Sequence, residues 1–394
     1  MSEVIAAGHI CLDLTPEFRK TGLSIEETLR PGKLINMGNC CISLGGPVSN
    51  TGIALSILGQ DVALMCKVGD DMFGKVIAEK AHEYGTEVYM KKDENSATSY
   101  TVALVVPGYD RIFLHNPGAN DTFAASDIDF DKVKDCKLFH FGYPPLMNKI
   151  YSDCGAELTN IFKKAKESGA TTSLDMSLPD RNAESGKQDW NEILKNTLPY
   201  VDIYVPSVEE TLFMLYPDKY DEFTREHKGE QDPLETLDTD ILPVLGEKLI
   251  EYGAKIAVIK CGVRGYYIRT SENLSGFGRV APADIENWSG REIICESYHV
   301  DNIVAATGSG DSSIAGFLSS FMNGENIYDS IEIACATGAC NITAADALSG
   351  IKDMANTKAL RNKLKRNHYS YNEDYWKYDE KTKLVFGKYD KTRR

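Results

Sequence analysis

One repeated order constrains the fold of this chain more than any other feature: a short apolar run, a glycine-bearing turn, a helical pattern and another glycine. Residues 4–11 form a short apolar run, residues 49–58 a helical pattern that a glycine ends, and residues 62–68 an apolar run that leads into a Gly-Asp-Asp turn and a helix over 74–84. This order is typical of βαβ units in a parallel sheet. It returns in the second half of the chain, so we predict an α/β fold built on a mainly parallel sheet.

Three segments depart from this order. Residues 99–106 and 111–115 are split by Pro-Gly-Tyr-Asp, which predicts an antiparallel hairpin; with residues 12–40 it could form a small sheet that stands off the main one. Residues 216–238 are charged and unperiodic, which predicts an exposed loop or insertion. The tail over 368–394 is rich in tyrosine and charge, and its pattern leaves open whether it is an ordered appendage or a frayed end.

Charge and cysteine usage limit the class of function. The 394-residue chain has a formal net charge of −15, which argues against a nucleic-acid partner because phosphate contacts need clustered Lys and Arg. No apolar stretch approaches the roughly 20 residues that cross a bilayer, and the first residues lack a secretory pattern. We therefore expect a cytoplasmic protein with no membrane partner. The ten cysteines include no Cys-x-x-Cys pair, which disfavours a zinc site and favours buried reduced thiols.

The strongest local signal for chemistry is the run Thr307-Gly308-Ser309-Gly310-Asp311, directly before a helical pattern. Small residues let the backbone turn tightly, so that consecutive N–H groups face one point. The helix adds its free N–H groups and the positive end of its dipole. This arrangement predicts an anion hole suited to a phosphate during transfer. Asp311 could take the proton of an attacking hydroxyl there, or it could merely compensate the helix dipole.

Two further strand ends could hold a hydroxylated ligand. Gly45 and Gly46 precede Asn50 at the mouth of a helix, where the glycines permit close backbone approach and Asn50 offers a donor and an acceptor; a tight turn with Asn50 near the cap is the alternative. Gly8 and Asp13 lie at the end of the first strand, and ligands in open parallel sheets collect at the carboxyl ends of strands. Asp13 would accept hydrogen bonds from vicinal hydroxyls, unless it is an ordinary surface residue.

Together these motifs resemble the ribokinase-like (pfkB) carbohydrate kinases in order and spacing. That family has an N-terminal Gly/Asp strand end, a Gly-Gly motif followed by Asn, a Gly-x-Asp-x-x-Gly turn and a C-terminal Gly-Ala-Gly-Asp. The matching residues here are Gly8 with Asp13, Gly45-Gly46 with Asn50, the Gly-Asp-Asp-Met-Phe-Gly run of residues 69–74, and Gly308-Ser309-Gly310-Asp311. Residues 117–120 look like the family's segment at the end of the lid hairpin, and the resemblance runs from about residue 4 to 350.

The resemblance implies a three-layer α/β/α sandwich with a mainly parallel central sheet and a small antiparallel β lid. The lid would come from about residues 12–44 and 97–117. Both segments would belong to a ribokinase-like kinase domain over residues 1–367, followed by the tail over 368–394.

The resemblance also assigns roles to particular residues. It implies that Asp311 is the general base and that Gly308, Ser309 and Gly310 form the anion hole for the γ-phosphate of ATP. The residues implied to hold the substrate are Asp13, Gly45, Gly46, Asn50 and Asn120. The residues implied to line the nucleotide are Ser207, Lys260, Gly262, Gly265 and Gly338. The turn over residues 260–265 follows an apolar strand, and on its own pattern a plain hairpin fits equally well.

Two departures from the family pattern bear on its metal ions. The family's Asn-x-x-Glu acts through magnesium-bound water and phosphate and aligns with residues 207–210; Glu210 is retained as the expected Mg²⁺ residue, but Ser207 replaces the Asn. Many members also have an Asp six residues before the catalytic one, where it helps to hold a monovalent cation. Ala305 stands there instead and has no side-chain oxygen, so we predict that potassium activation is weak or absent.

The expected function is therefore ATP-dependent transfer of a phosphate to a hydroxyl of a small sugar-like molecule. Arg111 on the lid could meet a carboxylate or phosphate of an acidic or phosphorylated sugar, or it could be a solvated rim charge. A nucleoside kinase with the same machinery and a non-catalytic ligand-binding member are the alternatives. A nicotinamide-dependent dehydrogenase ranks last, because no Gly-x-Gly-x-x-Gly follows the first strand.

The resemblance finally favours a homodimer through the lid. Tyr100, Phe113 and Leu114 are the candidate contacts, unless these residues simply pack the lid onto its own domain.

Overall fold

Strands of the chain form one large sheet and one small sheet in the computed structural model, which describes residues 2–19, 25–106, 112–230 and 232–393. The strands are β1 (Val4–Gly8), β2 (Cys11–Pro16), β3 (Cys40–Gly45), β4 (Val62–Gly69), β5 (Glu87–Asp93), β6 (Tyr100–Leu104), β7 (Ile112–Asn116), β8 (Leu138–Gly142), β9 (Thr171–Asp175), β10 (Ile203–Tyr204), β11 (Ile256–Lys260), β12 (Tyr266–Thr270), β13 (Glu292–Cys295), β14 (Lys377–Asp379) and β15 (Leu384–Phe386).

The helices alternate with the strands through most of the chain. They are α1 (Ile25–Thr28), α2 (Pro47–Ile57), α3 (Met72–Glu83), α4 (Phe130–Val133), α5 (Asn148–Glu167), α6 (Trp190–Thr197), α7 (Val208–Leu215), α8 (Pro217–Glu226), α9 (Ile241–Glu251), α10 (Ile285–Trp288), α11 (Ser309–Met322), α12 (Ile327–Asn341) and α13 (Met354–Arg361). In the part of the chain that the structure describes, no helix is both long and apolar enough to span a bilayer.

The large sheet has the strand order β14-β15-β13-β12-β11-β10-β9-β8-β1-β4-β5. The seven strands from β5 to β11 in this order run parallel to their neighbours, and the remaining pairs are antiparallel. The change of direction has a simple cause: only a short turn joins β11 to β12, whereas a parallel connection needs a crossover of a dozen or more residues. The predicted mainly parallel sheet is confirmed.

Helices cover both faces of this sheet, which gives three layers. Because successive side chains of a strand point to opposite faces, β1 contributes Ile5 and Ala7 to one hydrophobic core and Val4 and Ala6 to the other. All four side chains are at most 1% exposed. The predicted α/β/α sandwich is therefore confirmed, with one core on each side of the sheet.

The small sheet has the order β3-β2-β6-β7 and stands apart from the large one. Its outer pairs, β2–β3 and β6–β7, are antiparallel, and β2 and β6 are parallel in the middle. Both edge strands expose apolar side chains, among them Ile42, Phe113 and Leu114. The sheet comes from the two segments that the sequence predicts for the lid.

The segment predicted as an exposed loop over 216–238 contains a helix. Pro217 opens α8, where the missing N–H of proline costs nothing because the first N–H groups of a helix lack partners. The helix buries no residue, as its charged composition indicates. Farther on, Leu234 and Leu237 are buried, so this part of the segment packs onto the body of the protein.

The C-terminal tail is ordered and belongs to the large sheet. Strand β15 pairs with β13, and β14 completes that edge. A buried ion pair holds the tail: Arg291 Nε lies 3.0 Å from Asp390 Oδ2, and both side chains are at most 1% exposed. Trp376 is also buried. Of the two alternatives left open by the tail's pattern, the ordered one is therefore observed.

Candidate active site

The predicted anion hole lies at the start of α11. Gly308 caps this helix in the left-handed conformation, with φ of 72°, which glycine adopts without the Cβ penalty of other residues. Helix α11 packs against α2 and α12. The N–H of Ser309 donates to the carbonyl of Ala306 at 3.2 Å. In the first turn of the helix, the N–H groups of Gly310 and Asp311 are therefore the ones left to bind an anion.

Asp311 is held at the centre of the site by two hydrogen bonds. Its Oδ2 accepts from Asn50 Nδ2 at 2.9 Å, and its Oδ1 accepts from the hydroxyl of Tyr143 at 3.0 Å. The residue is 4% exposed. Burial raises the pKa of its carboxyl, although Asn50, Lys260 and Tyr143 act in the opposite direction. A carboxylate of raised pKa, fixed by two donors, is suited to accept a proton.

Tyr143 was not predicted from the sequence. It follows β8 at the carboxyl end of the strand and has a left-handed backbone, with φ of 62°. Such a conformation is uncommon for a non-glycine residue and often marks a functional position. Tyr143 lies beside the carboxyl ends of the parallel strands, where ligands collect. That position is the feature from which it could have been predicted as a site residue.

A buried cluster of charges lies beside Asp311. Lys260 Nζ, at the end of β11, donates to Asp175 Oδ1 at 2.6 Å and to the carbonyl of Val205 at 2.7 Å. Burial, together with the charges of Glu210 and Asp311, raises the pKa of Asp175 to about 8, against the effect of Lys260. Burial lowers the pKa of Lys260, but the neighbouring carboxylates outweigh it and leave the pKa above its usual value. Asp175 is a second site residue that the sequence analysis missed.

Ser207 and Glu210 form a reciprocal cap at the start of α7. Ser207 Oγ accepts from the N–H of Glu210 at 3.1 Å, and Glu210 Oε2 accepts from the N–H of Ser207 at 2.6 Å. This capping box satisfies two donors of the helix start. Burial raises the pKa of Glu210. One carboxylate oxygen of Glu210 is thus committed to the cap and the other is not part of it.

On the other side of Asp311, the predicted substrate residues meet at the ends of β2 and β3. Gly45 pairs with Cys11, and a Cβ on Gly45 would lie 2.5 Å from Asp13 Oδ1, so a larger residue at position 45 would displace this carboxyl. The thiol of Cys11 donates to Asp13 Oδ1 at 3.3 Å. Burial raises the pKa of Asp13. Gly46 lies against His9, and the two predicted glycines are therefore brought together with Asp13.

Two histidines join this group of residues to the lid. His9 Nε2 lies 3.4 Å from His115 Nε2, and His115 Nδ1 lies 3.0 Å from Thr101 Oγ1. Burial lowers the pKa of both imidazoles, which favours their neutral forms. His9 follows β1, whereas Thr101 and His115 lie on β6 and β7 of the lid. None of the three was predicted from the sequence.

The side chain of Asn120, a predicted substrate residue, is not a free polar group in the structure. Asn120 is fully buried, and its amide bonds both backbone groups of Ile10: Oδ1 accepts from the N–H at 3.3 Å and Nδ2 donates to the carbonyl at 2.8 Å. Its side chain therefore fixes the turn between β1 and β2. Arg111 lies outside the described residues.

A cavity of about 840 Å³ opens on the anion-hole side of Asp311. It gathers most of the residues predicted to line a nucleotide, together with two of the anion hole: Lys260, Gly262, Gly265, Gly338, Ser309 and Gly310. Further lining residues were not predicted, and they include Tyr298, Ile303, Cys335 and Ile342. The volume falls in the range of small-molecule sites.

The fold and the residues gathered here are those expected of an enzyme that transfers a phosphate group from a nucleotide to a hydroxyl. Comparison with known proteins agrees. The sequence matches the family described as pfkB family carbohydrate kinase over residues 2–354. The chain therefore belongs to the pfkB family of carbohydrate kinases, phosphotransferases whose acceptor is an alcohol group.

Similar sequences carry sugar-kinase names. An uncharacterized sugar kinase of Archaeoglobus fulgidus is 26% identical over 279 residues, which are 70% of this chain and 89% of that protein. Probable fructokinase-6, chloroplastic, of Arabidopsis thaliana is 26% identical over 361 residues, 88% of this chain and 79% of that protein. Among solved structures, Arabidopsis thaliana ribokinase complexed with ribose and ATP aligns with a TM-score of 0.67 at 17% identity, covering 91% of this chain and 98% of that one.

Proposed function

We propose that this protein is an ATP-dependent sugar kinase in which Asp311 is the general base. The observation that supports the proposal most strongly is the position of Asp311, which lies between the large cavity and the residues around Asp13. The cavity of about 840 Å³ reaches Ser309 and Gly310 on one side. On the other side, Tyr143 donates to Asp311, and its ring lies 6.4 Å from that of His9, which lies against Gly46 in the group of residues around Asp13.

The proposed transfer follows from this order. ATP fills the cavity, and its γ-phosphate meets the backbone amides at the start of α11 and the positive end of the helix dipole. Asp311 takes the proton of the sugar hydroxyl as that oxygen attacks the phosphorus, and ADP leaves on the opposite side. Because burial raises the pKa of Asp311, its carboxylate is a stronger base than an exposed one.

The acidic cluster supports a role for Mg²⁺. Asp175 Oδ2 is buried and has no hydrogen-bond partner among the described residues, and Glu210 lies in the same cluster. Carboxylate oxygens are the ligands that Mg²⁺ prefers, with waters completing the shell. These two residues would hold the ion, which when bound neutralises charge on the β- and γ-phosphates. Lys260 adds a fixed positive charge at the same place.

The proposed sugar site is formed by the residues around Asp13. Its carboxylate, close against Gly45, can accept from two hydroxyls of a sugar. The contact between His9 and His115 would open and close with the lid, so that lid closure excludes water from the transfer. The names of the relatives, fructokinase and ribokinase, favour a neutral monosaccharide as the substrate. We place the protein in the cytoplasm as part of the same proposal.

A substrate panel tests this proposal. ADP formation is measured with ATP and Mg²⁺ against hexoses, pentoses, sugar acids, sugar phosphates and nucleosides, in the parent and in Asp311→Asn. We expect turnover on a monosaccharide that the variant lacks. Turnover confined to nucleosides would establish the nucleoside-kinase alternative. Binding of a sugar without turnover in the parent would instead establish a non-catalytic member of the family.

Potassium should have little effect on the rate. Ala305 supplies no side-chain oxygen for a monovalent cation, so we expect KCl and tetramethylammonium chloride at equal ionic strength to give rates within about twofold, a barrier difference below about 0.5 kcal/mol. The matched variant Ala305→Asp should gain dependence on potassium. Strong activation of the parent by potassium would contradict the prediction.

The lid is the proposed dimer interface. Phe113 and Leu114 are 56% and 54% exposed on the edge strand β7, whereas Tyr100 packs edge-on against Phe73 of its own domain at 5.7 Å. We therefore expect Leu114→Asp to shift the protein from dimer to monomer in size-exclusion chromatography with light scattering. Ile285→Asp is the control, since Ile285 is equally exposed outside the lid. A monomeric parent, or a variant as dimeric as the parent, would refute this interface.

A further inference from the structure

Two cysteine side chains meet in the wall of the large cavity. Cys295 ends β13, Cys335 lies on α12, and their Sγ atoms are 3.5 Å apart. Cys295 is fully buried, whereas Cys335 is 7% exposed and lines the cavity. The two residues are 40 positions apart in the chain, so nothing in the sequence pattern indicates that they meet.

The guanidinium group of Arg366 contacts this pair of cysteines. Arg366 Nη1 lies 2.7 Å from Cys295 Sγ, and its second terminal nitrogen pairs with Glu332. Burial alone raises the pKa of the Cys295 thiol, but the S–H of Cys335 and the charge of Arg366 outweigh it and leave the pKa below its usual value. The S–H of Cys335 is oriented toward Cys295. The hydrogen bond to Cys295 and burial raise the pKa of the Cys335 thiol well above its usual value, so of the two sulfurs it is Cys295 whose thiolate form Arg366 favours.

Other buried cysteines of the chain are chemically different. Burial raises the pKa of Cys66, Cys136 and Cys261 to about 12. A buried thiol in apolar surroundings is inert, because the thiolate is the nucleophile. Cys295 and Cys335 instead combine sulfur contact, a guanidinium and access from a cavity.

We propose that Cys295 and Cys335 form a redox site, which closes to a disulfide when hydrogen peroxide enters the cavity. The Cys295 thiolate takes the proton of Cys335 along their hydrogen bond as the Cys335 sulfur, which faces the cavity, attacks one oxygen of the peroxide. An S–O bond forms, the O–O bond breaks and hydroxide leaves. The sulfur of Cys295 then attacks the sulfenic acid, the S–S bond forms, and the S–O bond breaks; the oxygen takes the Cys295 proton and leaves as water. Two electrons pass from the sulfurs to the peroxide.

The disulfide would change the shape of the cavity. The sulfur atoms must approach from 3.5 Å to about 2.05 Å, which draws α12 toward β13. Ala334 and Gly338 of α12 line the same cavity. We therefore expect oxidation to weaken nucleotide binding. This consequence rests on the proposed nucleotide site, whereas formation of the disulfide does not.

Peptide mapping tests the disulfide. The starting protein carries Cys40→Ser, Cys41→Ser and Cys154→Ser, which remove the exposed thiols. It is treated with hydrogen peroxide, alkylated, and digested with a protease that cleaves after glutamate. That cleavage separates residues 293–296, with Cys295, from residues 333–373, with Cys335 and Cys340. We expect the two peptides to be joined, with the loss of two hydrogen masses, and to separate on reduction.

Two further variants identify the partner sulfur. Adding Cys335→Ser should abolish the link, whereas Cys340→Ser should leave it intact. If both peptides carry alkylated thiols after peroxide, or if the link persists in Cys335→Ser, the proposal is wrong. Binding of a fluorescent ATP analogue before and after oxidation is the second measurement: a lost affinity that returns on reduction supports the effect on the cavity, and an unchanged affinity in the disulfide form refutes that effect.

Discussion

Asp311→Asn should lower kcat by about 10²- to 10⁴-fold, the usual contribution of a general base. Asparagine has nearly the same shape as aspartate and can still accept from Asn50, which now bonds Asp311 Oδ2 at 2.9 Å. The site should therefore keep its geometry and lose only its base. The measurement is kcat on the sugar that the panel identifies, together with the Kd for ATP, which we expect to change by less than about twofold.

A control distinguishes this role from dipole compensation. Asp353 is also an acid at the start of a helix, where its carboxylate accepts from the N–H of Asn356 at 2.8 Å, but it lies outside the site. Asparagine caps a helix about as well as aspartate, so Asp353→Asn should cost little stability and leave kcat within about twofold of the parent. If Asp311→Asn lowered kcat no more than Asp353→Asn does, Asp311 would not be the base.

Lys260→Met should shift the acidic limb of the pH–rate profile upward, by about 1–3 pH units. In the parent the charge of Lys260 lowers the pKa of Asp175, Glu210 and Asp311, against the raising effect of burial. Without that charge the three carboxyls hold their protons to higher pH. Because Asp311 must be ionised to accept a proton, the rate then falls at a higher pH as the solution is acidified. The measurement is kcat against pH for both proteins.

The same variant should also be less stable. Removing one partner of a buried ion pair costs about 3–5 kcal/mol, although protonation of Asp175 can relieve part of this. Since the carboxyls of the variant have raised pKa values in the folded state, its stability should fall as the pH rises through them. Lys166→Met is the control, because Lys166 pairs with the buried Asp202 at 2.5 Å away from the site. It should lose stability and keep the parent's pH profile; an identical profile in Lys260→Met would contradict the proposed role of Lys260.

The parts of the fold that could be predicted from the sequence are those set by local pattern. Apolar runs such as residues 62–68, each followed by a glycine and a helix, indicated the parallel half of the sheet. The antiparallel edge beyond the β11–β12 hairpin could not be predicted in this way. Strand β15 pairs with β13 across about 90 residues of chain. It has only three residues, which are too few for an alternation of polar and apolar side chains to distinguish a strand from a frayed end.

The site was predictable where a motif marks it. The glycine motifs predicted Asp311 and Asn50 to lie in one site, and their side chains are hydrogen-bonded across 261 positions of the chain. Tyr143 and Asp175 were missed because each is an isolated residue after a strand, with no glycine beside a helix start to mark it. The hydrogen bonds of Asn120 to Ile10 were missed for another reason. The sequence does not show which polar side chain will bond the buried backbone groups of a turn.

The central claim is that this site moves the γ-phosphate of ATP onto a sugar hydroxyl. The most direct test is to identify the product, by incubating the protein with ATP, Mg²⁺ and a monosaccharide and measuring the sugar phosphate and ADP by mass spectrometry. The account predicts sugar phosphate and ADP in equal amounts, and neither of them with Asp311→Asn. Formation of ADP without sugar phosphate, or of neither product with any monosaccharide, would contradict it.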